Sequence, residues 1–445
     1  MPFASLPRTA DTVIVGAGSA GCVLAEKLSA DTGRTVVVIE RGERRWPEPA
    51  SRDLRGMPIG ATSRHASTHP ATAPFQIVRG RGLGGSSVIN GGYFLRWHRD
   101  DVAGWPDPWD PDTVDAAYAE LDAPGGTMGV MPVDDAEIGD AAAAFESYWG
   151  RRLPTRDPAE RWPIDGVNRV LTNRDGWLRS TAAEAYLRPA VGRANLRVVP
   201  EVEALELGWC GGTVTGVLTG AGAVSAGEVI LCAGTLGTAA ILLRSGLADP
   251  AAGLVAGEHR GRTVGYRRRR PAGPGVLLPS VVHHGDVEIR CYRDDFASYL
   301  PDISTPDGVP TEPLISATWM GAAPVRLTLD DELNAVRVTV DPFAMPAPVD
   351  AAVEQVADML ESADFTSIVE PGSVSVGDEP DISQHAWGTM PMGERTDWLG
   401  AVPGVRGLRI VDGSILPAGG HSGPHATIMM LAVVIGSVLA GTGGR

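Results

Sequence analysis

The stretch Thr12-Val13-Ile14-Val15-Gly16-Ala17-Gly18-Ser19-Ala20-Gly21, completed by Val36-Val37-Val38-Ile39-Glu40, decides the reading of this chain. A short apolar run enters a glycine turn. A helical pattern follows at Val23, Leu24 and Leu28, and a second apolar run ends in an acid. Strand, glycine turn, helix, strand and acid within about 30 residues form a dinucleotide-binding βαβ unit. Gly16 permits the tight turn, Gly18 lets the backbone approach a pyrophosphate, and Gly21 lets helix and strand pack closely. The helix N-terminus presents partial positive charge to phosphates. Glu40 is placed to accept from ribose hydroxyls. The motif alone does not separate NAD from FAD.

Working outward, Arg79-Gly80-Arg81-Gly82-Leu83-Gly84-Gly85-Ser86-Ser87-Val88-Ile89-Asn90-Gly91-Gly92 is too glycine-rich for a regular element. It reads as a loop held against something, leading into a helix. Residues 101–174 are dense in Trp, Pro and Asp and read as an irregular excursion. Strand patterns return at 196–199, 214–218 and 229–233, followed by Gly234 and a helix through Ile241, Leu242 and Leu243. From about 261 to 345 the pattern alternates, as in Val287-Glu288-Ile289-Arg290, Val325 to Leu329 and Val336 to Val340. Alternation predicts an antiparallel sheet with one covered face. Val349, Val353, Val356 and Leu360 line one face of a helix suited to cover it. The last segment returns to α/β at Leu408 to Val411, Asp412-Gly413 and an apolar helix from about 426.

The chain has 445 residues, 43% hydrophobic and 21% charged, which fits a soluble globular enzyme of two to three domain-sized units. A net charge of −16 argues against a nucleic-acid partner, whose binding surface must be basic. The one basic run, Arg267 to Arg270, reads as a solvated edge strand, or more sharply as a docking patch for an electron-accepting partner. Cys22, Cys210, Cys232 and Cys291 form no CxxC pair, so neither a metal site nor a redox dithiol is expected. Cys22 and Cys232 read as core residues. Scattered cysteines and a start without an apolar signal region point to the cytoplasm. The apolar stretch from Ala426 to Gly441 falls short of the ~20 residues a membrane span needs and reads as a buried helix.

Four blocks in this order resemble the glucose-methanol-choline (GMC) family of FAD-dependent oxidoreductases. They are Val13 to Gly42, Gly82 to Gly91, Glu228 to Thr235, and Val411-Asp412-Gly413-Ser414-Ile415-Leu416-Pro417 onward, with Gly176 to Pro189 a weaker fifth. The resemblance implies a Rossmann-like FAD-binding domain with an inserted substrate domain built on an antiparallel sheet. The expected FAD-binding parts are 1–105, 175–260 and 375–445; the expected substrate parts are 106–174 and 261–374. It places Gly84, Gly85, Ser86 and Asn90 along the pyrophosphate and flavin, Val202 against the adenine and Asp412 near the ribityl chain. Ser19, Ala20, Arg41, Ala233, Gly234, Gly413 and Ala426 complete the expected cofactor contacts. Some members attach the flavin through a histidine in the Gly-Gly-Ser-Ser block. Ser87 to Asn90 holds none, so the FAD is expected to be non-covalent.

His385-Ala386-Trp387-Gly388-Thr389-Met390-Pro391-Met392-Gly393 resembles the family's His-Pro-x-Gly-Thr-x-x-Met-Gly block, whose histidine faces the flavin. His425 falls where the family has its second catalytic residue. Imidazole titrates near neutrality, so one histidine can take the alcohol proton while the other orients the oxygen. His385 is the expected base. The helix starting near Ala426 would aim its N-terminus at the flavin. His65, His69, His98, His259, His283 and His284 read as structural or exposed, and His421 as tuning the site, gating it or idle. Ala386 and Met390-Pro391 depart from the family pattern, the segment after Gly246 lacks its usual Asn-Leu-x-Asp-His, and the substrate region is trimmed. The expected activity is oxidation of an alcohol, with a quinone, a redox carrier or oxygen as electron acceptor. Gly91-Gly92-Tyr93-Phe94 and Ser422 to Thr427 are similar to members associated with the redox peptide mycofactocin. A flavoprotein lyase and a degenerate FAD-binding scaffold are the rival readings.

Overall fold

The computed structural model describes residues 3, 5–60, 62–72, 76–300, 312–330, 335–377 and 381–441. β1 (Thr9–Val15) and β2 (Val36–Ile39) pair in parallel, with α1 (Ser19–Ser29) crossing between them. Their Val and Ile residues are buried on both faces, as an interior parallel sheet requires. Gly16 takes a left-handed φ of +102°, and a Cβ on Gly21 would lie 1.9 Å from the Gly16 carbonyl oxygen. No larger residue fits there, so α1 is pulled directly over the strand end.

β3 (Leu196–Val199) extends the parallel set beyond β2. β4 (Ala204–Cys210), β5 (Thr213–Thr219) and β6 (Gly222–Leu231) form an antiparallel meander, and β6 returns in parallel beside β1. The sheet order is β4-β5-β6-β1-β2-β3. α2 (Gly234–Arg244) leaves the end of β6.

The second sheet is antiparallel. It is built from β7 (Leu254–Gly265), β8 (Ser280–His284), β9 (Val287–Cys291), β10 (Leu314–Asp330) and β11 (Ala335–Val340). Gly166–Arg169 joins β8, and Ser375–Val376 and Asp381–Ile382 join β7. α3 (Ala347–Leu360) covers the sheet with the four expected residues and also with Ala352 and Met359. β12 (Leu408–Ile410) brings the chain back beside β6. α4 (His425–Leu439) packs on α1, where Gly436 lies close against Leu24 and Lys27. The expected class, a Rossmann-like unit with an inserted antiparallel sheet, is the architecture found.

Several details differ from expectation. The second sheet starts at Leu254 and includes Asp381–Ile382, so it reaches past both expected boundaries. The helix Pro111–Asp122, expected in the substrate part, packs on α4 and is tied to α1 by the Lys27–Glu120 ion pair at 2.8 Å. After Gly84 the glycine-rich loop makes only one 3₁₀ turn, Gly85–Val88. In the arginine run Arg267, Arg269 and Arg270 are exposed, as the solvated reading expects, but side chains of the run are also paired. Arg267 pairs with Glu370, the covered side chain of Arg268 with Asp140, and Arg269 donates to the Thr366 and Val369 carbonyls.

The segment that carries Tyr93 and Trp97 is fixed by charge. Arg96 makes a bidentate pair with fully buried Asp122, both contacts 2.7 Å. Arg96→Met leaves that carboxylate uncompensated and is expected to cost about 3–5 kcal/mol in urea unfolding. Arg96→Met combined with Asp122→Leu should recover part of the loss.

Candidate active site

A cavity of about 630 Å³ runs between the two sheets. Gly16, Gly18, Ser19, Ala20, Glu40, Arg41, Gly85, Ser86, Asn90, Val202, Ala233, Gly234, Asp412 and Gly413 line it, as do His385 and His425. Three expected contacts do not. Gly21 is the packing glycine under α1. Gly84 is turned away, with Val88, Ser87 and Ala183 packed where a side chain would be. Ala426 is 1% exposed, because its place in the first turn of α4 aims the methyl into the core.

Three helices begin at this cavity: α1 after Gly18, α2 after Ala233 and α4 after Pro424. None has a side-chain cap among the described residues. Helix N-termini leave backbone N–H groups without partners, and here they are presented to the cavity. Gly85 packs against Gly18, where a Cβ would lie 2.8 Å from its Cα, so loop and turn meet along bare backbone. Ser87 fixes this loop by donating to the Gly84 carbonyl at 2.6 Å and accepting from Ala182 N–H at 3.0 Å. Buried Arg179 donates to the Val88 carbonyl at 2.8 Å, which gives the weaker fifth block its physical role.

Glu40 is a clamp. Its carboxylate accepts from the N–H groups of Ala17, Gly42 and Gly82 at 2.9, 2.8 and 3.0 Å. A carboxylate has about four acceptor positions, so little capacity is left for a ribose hydroxyl. Asp412 accepts from Thr238 Oγ1 at 2.6 Å and from Ser414 N–H at 2.8 Å, and burial raises its carboxyl.

The two histidines are held differently. Asn90 accepts from Gly92 N–H at 3.0 Å through Oδ1, so its amide nitrogen faces His425 Nδ1 at 3.2 Å. Nδ1 is then the acceptor and the ring proton lies on Nε2. That Nε2 is buried and has no partner among the described residues. Phe94 meets the same ring edge-on at 5.3 Å. His385 Nδ1 lies 3.3 Å from His259 Nδ1. Its backbone N–H donates to Glu258 at 2.7 Å, as does that of His259 at 2.8 Å. Burial raises the Glu258 carboxyl to about 7. Gln384, with φ +58°, presents His385 from a left-handed conformation. Its amide pays for that strain by pairing with Val78 N–H and the Gln76 carbonyl.

Glu258, His259, Gln384, Tyr93, Glu288 and Arg290 escaped the sequence reading. Glu288 and Arg290 share one face of β9, as the alternation indicated, but that face is the cavity wall. They are 1% and 5% exposed. Tyr93 donates to Glu288 at 2.6 Å, and Arg290 donates to the other carboxylate oxygen. His259, His98 and His283, read as structural or exposed, lie at or beside the site. No group of three or more histidine, cysteine or acidic residues is placed to hold a metal among the described residues. Within the same residues, no helix is long and apolar enough to cross a membrane.

The GMC oxidoreductase model matches residues 10–266 with its N-terminal part and 323–432 with its C-terminal part. The chain belongs to the GMC oxidoreductase family. A GMC-type oxidoreductase of Rhodococcus erythropolis is 29% identical over 97% of this chain and 98% of its own length. Pyridoxine 4-oxidase of Microbacterium luteolum is 26% identical over 95% and 98%. Among solved structures, pyridoxine 4-oxidase from Mesorbium loti superposes with a TM-score of 0.81 at 21% identity, covering 96% of this chain and 99% of that one. A formate oxidase of Aspergillus oryzae RIB40 gives 0.76 at 17%, covering 98% and 99%. At these identities the structures show the shared fold. FAD is the cofactor of this family. The uncapped helix starts, the bare-backbone cradle and the orphaned His425 Nε2 fit it.

Burial lowers His69 and His425 to about 4 and His259 to about 3. Each is neutral in the folded protein yet binds a proton near pH 6.5 when unfolded. Below about pH 6.5 the unfolded state therefore holds more protons, and stability falls as pH drops towards 4. Urea midpoints of the apoprotein should be lower at pH 5 than at pH 7. Replacing buried His69 with Phe should flatten that slope.

Proposed function

We propose that this GMC oxidoreductase oxidises the CH–OH group of an alcohol, using FAD held without a covalent bond. The observation that carries the reading is the convergence of His385 and His425 on the cavity that also contains the Gly16–Ala20 turn. FAD, when bound, supplies the hydride acceptor.

The residues divide the remaining work. With Asn90 holding Nδ1, His425 offers its Nε2 proton to the alcohol oxygen and orients it. His385 takes the hydroxyl proton on Nε2 when its Nδ1–H donates to His259. Burial keeps both rings neutral, His385 well below and His425 near 4, so a neutral acceptor is present at physiological pH. Glu258 holds the His385 backbone, and Gln384 sets its direction. The Glu288–Arg290 pair makes this wall polar. The pyridoxine 4-oxidase relatives match along the whole chain, which makes a heteroaromatic alcohol the first substrate to try. A mycofactocin-type alcohol is the second reading. It is favoured by the meeting of Tyr93 and Gly423, from the two stretches similar to that subgroup, at the cavity.

The purified enzyme should show flavin absorbance near ~450 nm that bleaches when the alcohol substrate is added without oxygen. His385→Ala and His425→Ala should each slow bleaching by about 10²–10⁴-fold while still loading FAD. An FAD-loaded enzyme that no alcohol bleaches would favour the lyase reading. Acid precipitation should leave all flavin in the supernatant, since Ser87 to Asn90 offers no histidine for attachment. Peroxide formed in air identifies oxygen as the acceptor, and its absence points to a quinone or redox carrier.

A further inference from the structure

We propose that His283, His98 and His421 form a proton path between the cavity wall and the surface, serving the proton that alcohol oxidation releases. The inference rests on the function proposed above. If His385 takes a hydroxyl proton in a buried cavity, that proton must leave before the next turnover, and burial opposes its staying on the ring.

The path begins at the cavity. Tyr93 and Glu288 line the same cavity as His385. The Tyr93 hydroxyl lies 2.6 Å from Glu288 Oε1. The same oxygen lies 3.2 Å from His283 Nε2, the residue opposite Glu288 in the β8–β9 hairpin. His283 Nδ1 lies 2.7 Å from His98 Nε2. The His98 and His421 ring centroids lie 4.9 Å apart in a tilted arrangement, and His421 Nδ1 pairs with Asp101 at 2.6 Å. His283 is 1% exposed, whereas the His421 side chain is 30% exposed, so the series runs from interior to water.

An imidazole that receives a proton on one nitrogen can release another from the second. His283 has both nitrogens engaged, one towards the cavity and one towards His98, which is the arrangement a relay needs. A purely structural histidine needs only one partner. The charged groups around the path favour proton traffic. Burial raises the Glu288 carboxyl, but Arg290 overrides it and holds it well below the usual range, so protonated Glu288 is a transit state. Asp101 raises His421 by hydrogen bonding, and exposed Asp286 and Asp165 add negative charge at the outer end. His98, between two other histidines, is lowered to about 4 by burial and by His283.

The balance is simple. The alcohol O–H bond breaks and its proton goes to His385; His385 then releases it across the shared cavity to Glu288 in the wall, and it moves through His283 and His98 and leaves to water beside His421. No electron travels this way.

Two measurements test the path. In weakly buffered, FAD-loaded enzyme mixed with pyridoxine without oxygen, a pH-indicator dye reports proton release and 450 nm absorbance reports bleaching. In the native enzyme the two should coincide. In His98→Gln, release should lag at least ~10-fold while bleaching changes less than ~2-fold, and added imidazole should restore coincidence. His421→Gln, nearer the surface, should lag by a smaller factor. Release in step with bleaching in His98→Gln would overturn the proposal. The second measurement needs no turnover: histidine ring ¹⁵N spectra followed against pH. The His283 Nδ1 resonance should move once His98 is Gln, because that nitrogen lies 2.7 Å from His98 Nε2. An unchanged His283 would sink the path whether or not pyridoxine reduces the flavin, whereas a shifted His283 with no bleaching would count against the alcohol reading.

Discussion

No atom fits between α1 and the carbonyl of Gly16, and much of the active-site architecture follows from that constraint. The missing Cβ of Gly21 lets the helix start directly above the strand end. Its unsatisfied N–H groups then point into a cavity instead of being capped. Glu40, at the end of the neighbouring strand, gathers three backbone N–H groups and draws the glycine-rich loop onto the same turn. One packing constraint and one carboxylate thus build the backbone cradle that suits a pyrophosphate. The other two helix starts arrive there because β6 and the segment after β12 end at the same edge of the sheet.

The second sheet supplies titratable side chains to the cavity wall where the first supplies uncapped helix starts. β7 carries Glu258 and His259, and the hairpin of β8 and β9 carries His283, Glu288 and Arg290. The chain leaves the sheet at Ile382 and delivers His385 almost at once. The site is a seam between two sheets. Its polar groups are buried, but in pairs: carboxylate with guanidinium, imidazole with imidazole or amide. Such pairing is what allows charge to persist away from water.

Much of this was legible in the sequence. The βαβ unit, the antiparallel insert, the covering helix and the buried C-terminal helix follow from local periodicity and turn residues, which depend on near neighbours. His385 and His425 were legible through their surrounding motifs. Glu258, His259, Glu288 and His283 were not. Alternation shows that Glu288 and Arg290 share a face, but nothing local says whether that face meets water or a cavity. The partners of the arginine run were not legible for the same reason, since Asp140 and Glu370 are remote in sequence and adjacent only once folded.

What the sequence determined by itself was therefore the set of elements, a glycine turn of the dinucleotide-binding pattern and the motifs around two histidines. Those properties are fixed by sterics and hydrogen bonding within a few residues of chain. Only the tertiary structure decided which nitrogen of His425 carries its proton, what holds His385 in place, and that three further histidines stand in series behind the cavity wall. Each of these depends on the pairing of distant segments, and pairing sets burial, partner and protonation together.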